Sequence, residues 1–229
     1  MNAIEVTHVI KLYNDTRIIR DISFSIKKGE IFGILGPNGA GKTTILRMLL
    51  DQIKPDSGTI KIMGEPIHAN IKDRIGYLPE ERGLYQKSRV LEILVYFGRL
   101  KRMSKKDAHN SAERLLRRME LYDVKNKRIE TLSKGMQQKV QFIGTIIHDP
   151  DIIIVDEPFS GLDPVNTRLL KNVLMEQKKA GKAIILSTHM IEQAAQMCDE
   201  LLMINKGKVV MHGTLDKICL LYTSPSPRD

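Results

Sequence analysis

The stretch Gly36-Pro37-Asn38-Gly39-Ala40-Gly41-Lys42-Thr43 constrains this chain more than any other. It fits GxxxxGK[ST], a loop whose backbone amides, together with the N-terminus of the following helix, surround phosphate groups. Glycines belong there because side chains would hold the backbone away from a nucleotide. Lys42 is suited to contact β- and γ-phosphates and the Thr43 hydroxyl to ligate Mg²⁺, with Thr44 counted among the nucleotide-binding candidates. The flanks agree with this reading. Glu30 to Leu35 is an apolar run that suits a strand buried on both faces, and Lys42 to Leu50 reads as a helix.

Further along, the chain alternates between strand and helix signals. Ile4, Val6 and then Ile22, Phe24, Ile26 alternate with polar residues as short half-buried strands do, with Lys28-Gly29 as their turn. Thr59 to Met63 and Ile75 to Leu78 are further strands, ended by Gly64-Glu65-Pro66 and by Pro79. Between Ser88 and Ile147 strand signals vanish, and Val90 to Lys101, Ala108 to Leu121 and Ser133 to Ile147 read as helices. Met136, Val140, Ile143 and Ile147 form one apolar face of the third, which Ser133 can cap. Asp151 to Val155, Ala183 to Ser187 and Leu201 to Ile204 read as buried strands, with a helix from Val165 to Lys179, so parallel α/β connectivity is expected. Asn205 to Lys208 resembles a hairpin turn into Val209 to Met211, and a helix is expected to open at Thr214.

A phosphate loop alone does not say which reaction follows; a second acidic element is required. Ile152-Ile153-Ile154-Val155-Asp156-Glu157 supplies one. Asp156 stands at the C-terminal end of an apolar strand, where a carboxylate can hold Mg²⁺ through water, and Glu157 is the candidate water-activating base. Between loop and acids lies Leu132-Ser133-Lys134-Gly135-Met136-Gln137-Gln138, where Ser133 and the first amides of a helix can donate to a γ-phosphate.

On these three elements, in this order, residues 1–218 resemble the ATP-binding cassette family, the nucleotide-binding subunits of ABC transporters. The resemblance implies a P-loop NTPase fold: an α/β RecA-like parallel sheet core, an N-terminal antiparallel β part and a helical subdomain inserted at about 83–150. Leu132 to Gln138 is similar to the family's LSGGQ signature, with Ser133 and Gly135 matching but Lys134 in place of a glycine and Met136 in place of the glutamine. Tyr13 resembles the aromatic that stacks on adenine, Ser160-Gly161-Leu162-Asp163 the D-loop, and His189 the switch histidine that contacts the γ-phosphate. Glu80 occupies a position where the family has a glutamine that contacts Mg²⁺ and water. An extra carboxylate there should attract Mg²⁺ and repel the γ-phosphate. The stretches around Glu80 and Ser133 look like the sodium- and drug-exporter branch.

The resemblance further implies ATP and Mg²⁺ as ligands, Glu157, His189 and Lys42 as catalytic residues, a head-to-tail dimer with a second copy or homologue, and a separate integral membrane permease. No nucleic-acid partner is expected. Two rival readings share the cassette: a soluble ATP-driven machine acting on nucleic acid, and a binding-only module weakened by Glu80 and Lys134. The first usually needs a second cassette or coiled-coil arms, and the intact Lys42, Asp156, Glu157 and His189 speak against the second.

Composition narrows the setting. With 229 residues and 42% apolar side chains, the chain supports one sizeable core, or one core and a small subdomain. It has no apolar run near the 18 residues that span a bilayer, no signal-peptide layout in Met1 to Ile10, and only two cysteines, Cys198 and Cys219. A cytoplasmic protein, peripheral on the inner face of the membrane, is the expectation. The net charge of +9 suits anionic partners, and much of it is local: Arg99 to Arg128 holds eleven Lys or Arg against four acids, a net of +7. That stretch reads equally as a solvated helix face or a docking surface. The last eleven residues, Cys219 to Asp229, read CLLYTSPSPRD and back-translate to a sequencing adapter in frame. They are expected to be non-native and are set apart from the fold.

Overall fold

The computed structural model describes residues 2–14, 16–81 and 83–214. In chain order the elements are β1 (Asn2–Tyr13), β2 (Thr16–Lys27), β3 (Ile31–Leu35), α1 (Lys42–Leu49), β4 (Ser57–Ile62), β5 (Glu65–Pro66), α2 (Ala69–Lys72), β6 (Ile75–Leu78), α3 (Val90–Leu100), α4 (Lys105–Arg118), α5 (Lys134–Ile146), β7 (Ile152–Asp156), α6 (Pro164–Lys179), β8 (Ala183–Thr188), α7 (Ile191–Ala195), β9 (Glu200–Asn205) and β10 (Lys208–Thr214). They fall into two units, 1–68 with 183 onward, and 69–182.

In the first unit β1 pairs antiparallel with β2 and β4, giving a sheet in the order β2-β1-β4-β5. Both long strands exceed the short runs expected from alternation. The reason is a bulge: His8 has a φ of 51°, the register shifts between Val6 and Val9, and the period of two is lost beyond it. Ser23 Oγ accepts the displaced His8 N–H at 2.8 Å. A second, mixed set runs β10-β9-β3-β8, with β3 parallel to both β8 and β9 and β10 antiparallel on β9. Every residue of β3 and β8 is buried, which is why both read as unbroken apolar runs. Phe32 of β3 is fully buried and stacks on Phe24 of β2 at 5.1 Å. The turn at Lys206-Gly207 has φ of 47° and 73°, the left-handed pair that matches hairpin twist. Thr214 pairs with Glu200 as the last residue of β10, and the residues that would carry the helix expected from Thr214 lie outside the described residues. The expected tail, 219–229, lies outside the described residues.

The second unit holds β6 parallel to β7, in the register Ile75 with Ile152 to Leu78 with Val155. Three helices, α3, α4 and α5, pack on one another, and small residues set their spacing. A Cβ on Gly98 would lie 2.8 Å from Ala108 Cβ, and one on Gly144 2.7 Å from the Phe97 ring. Helix α4 begins three residues before its expected start because Ser104 caps it, accepting from Asp107 N–H at 3.0 Å. It stops at Arg118, and Glu120 beyond it has a φ of 58°. The basic stretch is partly spent inside this unit. Arg102 pairs with Asp73, Lys125 with Glu113 and Arg118 with Glu176, while Arg117 covers the Tyr122 ring at 3.4 Å. Among the described residues no helix is long and apolar enough to cross a membrane.

Candidate functional site

The first unit carries the phosphate loop. β3 delivers Gly36, whose added Cβ would meet the Ile204 carbonyl oxygen at 2.3 Å, so only glycine lets the loop leave the strand against β9. The loop then folds its carbonyls onto internal donors. Ala40 N–H donates to Pro37 O at 3.1 Å, and the Lys42 ammonium donates to Gly36 O at 2.7 Å and Pro37 O at 3.3 Å. Gly41, the N-cap of α1, has a φ of 108° and no side-chain cap bond. A loop whose carbonyls are occupied this way, ahead of a helix start, is a site for an anion. Lys42 is buried, Thr43 exposed and Thr44 half-buried, while Pro37, Asn38 and Gly39 are exposed. Tyr13 ends β1 with 43% of its surface exposed and the Lys11 ammonium 5.7 Å from its ring centre. His189 follows β8 and is exposed.

The second unit carries the acids and the signature turn. Asp156 is the last residue of β7 and, like Glu157, is buried. Glu157 adopts a φ of 47°, a left-handed backbone that costs a non-glycine residue of order 1–3 kcal/mol and is kept where the surroundings over-determine it. Two bonds hold that turn: Ser160 N–H donates to Glu157 O at 3.1 Å, and the Gln138 amide donates to Pro158 O at 3.4 Å. Gln138 belongs to α5, whose N-cap is Ser133, with Oγ accepting from Met136 N–H at 3.2 Å. Along one face of α5, Gln141 donates to Glu81 O and Thr145 to Tyr77 O, so the same helix fixes the segment bearing Glu80. Glu80 itself is exposed. Asp163 caps α6, accepting from Asn166 N–H at 2.9 Å and from its side-chain amide, and these bonds hold its carboxyl below the usual range. Gly135 faces Asn166, where an added Cβ would lie 3.2 Å from Nδ2.

Within their own units, these bonds tie together residues the sequence named separately. Ser133, Gly135 and Asp163 meet through Asn166 and the two caps, and Glu80 and Glu157 hang from one helix. Sequence reasoning missed Gln138, Gln141 and Asn166, which an apolar-face reading of α5 passes over. It also read Asn205 to Lys208 only as a turn, whereas Gly207 N–H donates to the loop carbonyl of Ala40 at 2.9 Å. A Lys-Gly pair signals a turn, but nothing in it signals what the turn leans on. Among the described residues no group of three or more His, Cys, Asp or Glu is arranged to hold a metal. Thr43 in the first unit and Asp156 in the second each carry a hard oxygen donor of the kind Mg²⁺ takes.

Comparison with known proteins agrees with this chemistry. Residues 19–160 match the family model described as ABC transporter. The chain is 46% identical over 216 residues, 94% of its length and 79% of the relative's, to an uncharacterised ABC transporter ATP-binding protein of Methanocaldococcus jannaschii. It is 36% identical, over 92% of its length and 70% of the relative's, to the Nod factor export ATP-binding protein I of Burkholderia lata. A solved ATP-binding subunit of an ABC transporter superposes with a TM-score of 0.89 at 30% identity, covering 96% of this chain and 93% of that one. A glycine loop that turns its carbonyls inward, on an α/β frame shared with solved cassettes, therefore belongs to a protein that uses ATP, and the chain is a member of the ABC transporter ATP-binding family, which hydrolyses ATP to power transport.

Proposed function

We propose that the chain is the ATP-hydrolysing subunit of an ABC exporter, working as a head-to-tail pair on a separate membrane permease. The observation that carries this is the phosphate loop, with the Gly36 and Pro37 carbonyls held by internal donors and a left-handed glycine opening α1. Lys42 neutralises the β- and γ-phosphates, the glycines admit them to the backbone amides, and Tyr13 stacks on the base. Thr43, Asp156 and Glu80 are the residues that would hold Mg²⁺, which when bound would supply charge neutralisation for the transferring phosphoryl group.

Each ATP lies between residues 36–43 of one subunit and Ser133 to Gln137 of the other. Glu157 orients a water for in-line attack on the γ-phosphorus; a new P–O bond forms, the β–γ bridging bond breaks, and ADP leaves. His189 contacts the γ-phosphate, and Asp163 sits in the loop that links the two sites. Loss of the γ-phosphate removes the charge that held the faces together, and opening is passed to the permease as movement. The helical subdomain at about 83–150 and the segment of Glu80 take the permease's cytoplasmic helix. Export as the direction, and a place on the inner membrane face, are supported by the exporter-like stretches and by the Nod factor export relative. The Ser133 cap of the signature turn is in place beside Lys134 and Met136.

Light scattering of Glu157→Gln with Mg²⁺-ATP tests this reading. The expected result is a doubling of mass that reverses when ATP is withdrawn. A monomer at saturating ATP would refute the paired engine.

A further inference from the structure

We infer that Gly207, in the β9–β10 turn, is a positioning residue for the phosphate loop: its peptide group is a strut that fixes the Ala40 carbonyl and thereby the amides on either side. The inference rests on the reading that residues 36–43 bind ATP, and it adds a residue that lies outside every motif of the site.

The strut has two ends. Gly207 N–H donates to Ala40 O at 2.9 Å, and Gly207 O accepts from Arg20 N–H of β2 at 2.8 Å. One residue thus links the loop to the antiparallel sheet, and every partner lies in the same unit. Ala40 is the residue whose own N–H closes the loop onto Pro37 O, so a shift of its carbonyl is felt across the turn from Pro37 to Gly41. The Gly207 Cα also sits 3.9 Å from where a Cβ on Gly41 would be, which places the hairpin directly against the helix start.

Only glycine can occupy this place. Its φ is 73°, and an added Cβ would lie 1.9 Å from Ile18 O and 2.7 Å from Ile18 C, both backbone atoms of β2. Backbone cannot swing aside as a side chain can, so any methyl must push the turn away from β2 and carry the donor off Ala40 O. Gly64 is the natural control. It too is left-handed, at 83°, in the same unit, but nothing lies within 4 Å of its added Cβ. Gly64→Ala therefore bears the backbone cost without disturbing the loop.

The test titrates wild type, Gly207→Ala and Gly64→Ala with a fluorescent non-hydrolysable ATP analogue and records the melting temperature of each. We expect Gly207→Ala to lose at least about tenfold in affinity while Gly64→Ala, although it melts lower than wild type, binds as wild type does. Amide exchange in the wild type provides the second arm and needs no variant to fold. The Gly207 amide should exchange at least about tenfold more slowly when the analogue is bound. Wild-type affinity in Gly207→Ala, or exchange at Gly207 that ignores the analogue, would overturn the strut while leaving the loop as the ATP site. A wild type that does not bind the analogue would overturn both.

Discussion

Helix α1 starts from Gly41, in left-handed backbone at a φ of 108° with no side-chain cap, whereas α5 starts from Ser133, in extended backbone, with its own hydroxyl on Met136 N–H. In the proposed pair both helix starts face the same γ-phosphate, one from each subunit. They achieve it by different means. The first is a backbone construction braced on all sides: Gly36 against Ile204 O, Gly41 against Ile19, Ala40 held by Gly207. The second is a side-chain cap with one crowded neighbour, Gly135 against Asn166. At Gly36 and Gly41 the braced backbone leaves no room for an added Cβ, while a cap constrains little beyond its hydroxyl. That difference fits a phosphate loop that matches its pattern at every defined position and a signature that departs from its own at Lys134, which is exposed, and at Met136, which is half-buried.

Several substitutions press on this contrast. The largest effect should come from Gly36→Ala, which drives a methyl into the Ile204 carbonyl at 2.3 Å; a loss of about 3 kcal/mol in denaturant unfolding, with ATP binding abolished, is expected. A variant that folds and binds as wild type would show that the loop is not braced. The second effect is one of pH and belongs to the far end of α5. Burial, and then the Lys101 ammonium, hold His148 down to about 4, against the opposing pull of Asp73 and Asp149. Its folded value lies below the unfolded one of about 6.5, so above that both states are neutral and nothing is lost. As pH falls from about 6.5 to 4 the unfolded chain takes a proton that the fold refuses, and stability should drop by up to roughly 3 kcal/mol. Unfolding curves at pH 7 and pH 4.5 check it, and His148→Leu should flatten the difference.

Third, Gln138→Leu leaves the Pro158 carbonyl without its donor and should cost roughly 2 kcal/mol while loosening the turn that bears Glu157. Unfolding together with turnover measures both, and a stability loss with turnover unchanged would separate α5 from the acids. The smallest effects lie at the cap. Ser133→Ala should cost about 1 kcal/mol and Lys134→Gly no more than about 0.5 kcal/mol, both read from unfolding curves. If Lys134→Gly proves the more costly, the cap is not what carries the signature turn.

What could be read from the sequence follows the same division. β3, β7 and β8 were legible because strands buried on both faces are written as unbroken apolar runs, and the phosphate loop because its glycines are obligatory. Ser133 and Pro79 were legible as punctuation. The long β1 was not, since the bulge at His8 breaks the period of two that betrays a strand. Nor was the early start of α4, because Ser104 stands before a polar turn rather than before the apolar residues that announced the helix. Gln138, Gln141 and Gly207 were invisible for a common reason. Their roles are hydrogen bonds between residues 20 to 187 positions apart, which leave no local pattern.

In the proposed mechanism the first unit binds the nucleotide and the acids of the second perform the chemistry. The turnover of Glu157→Gln at saturating Mg²⁺-ATP, taken beside its ATP affinity, tests this most directly. Turnover should fall by a factor on the order of 10²–10³ with affinity unchanged. Turnover at the wild-type rate would contradict it and move the catalytic role away from Glu157.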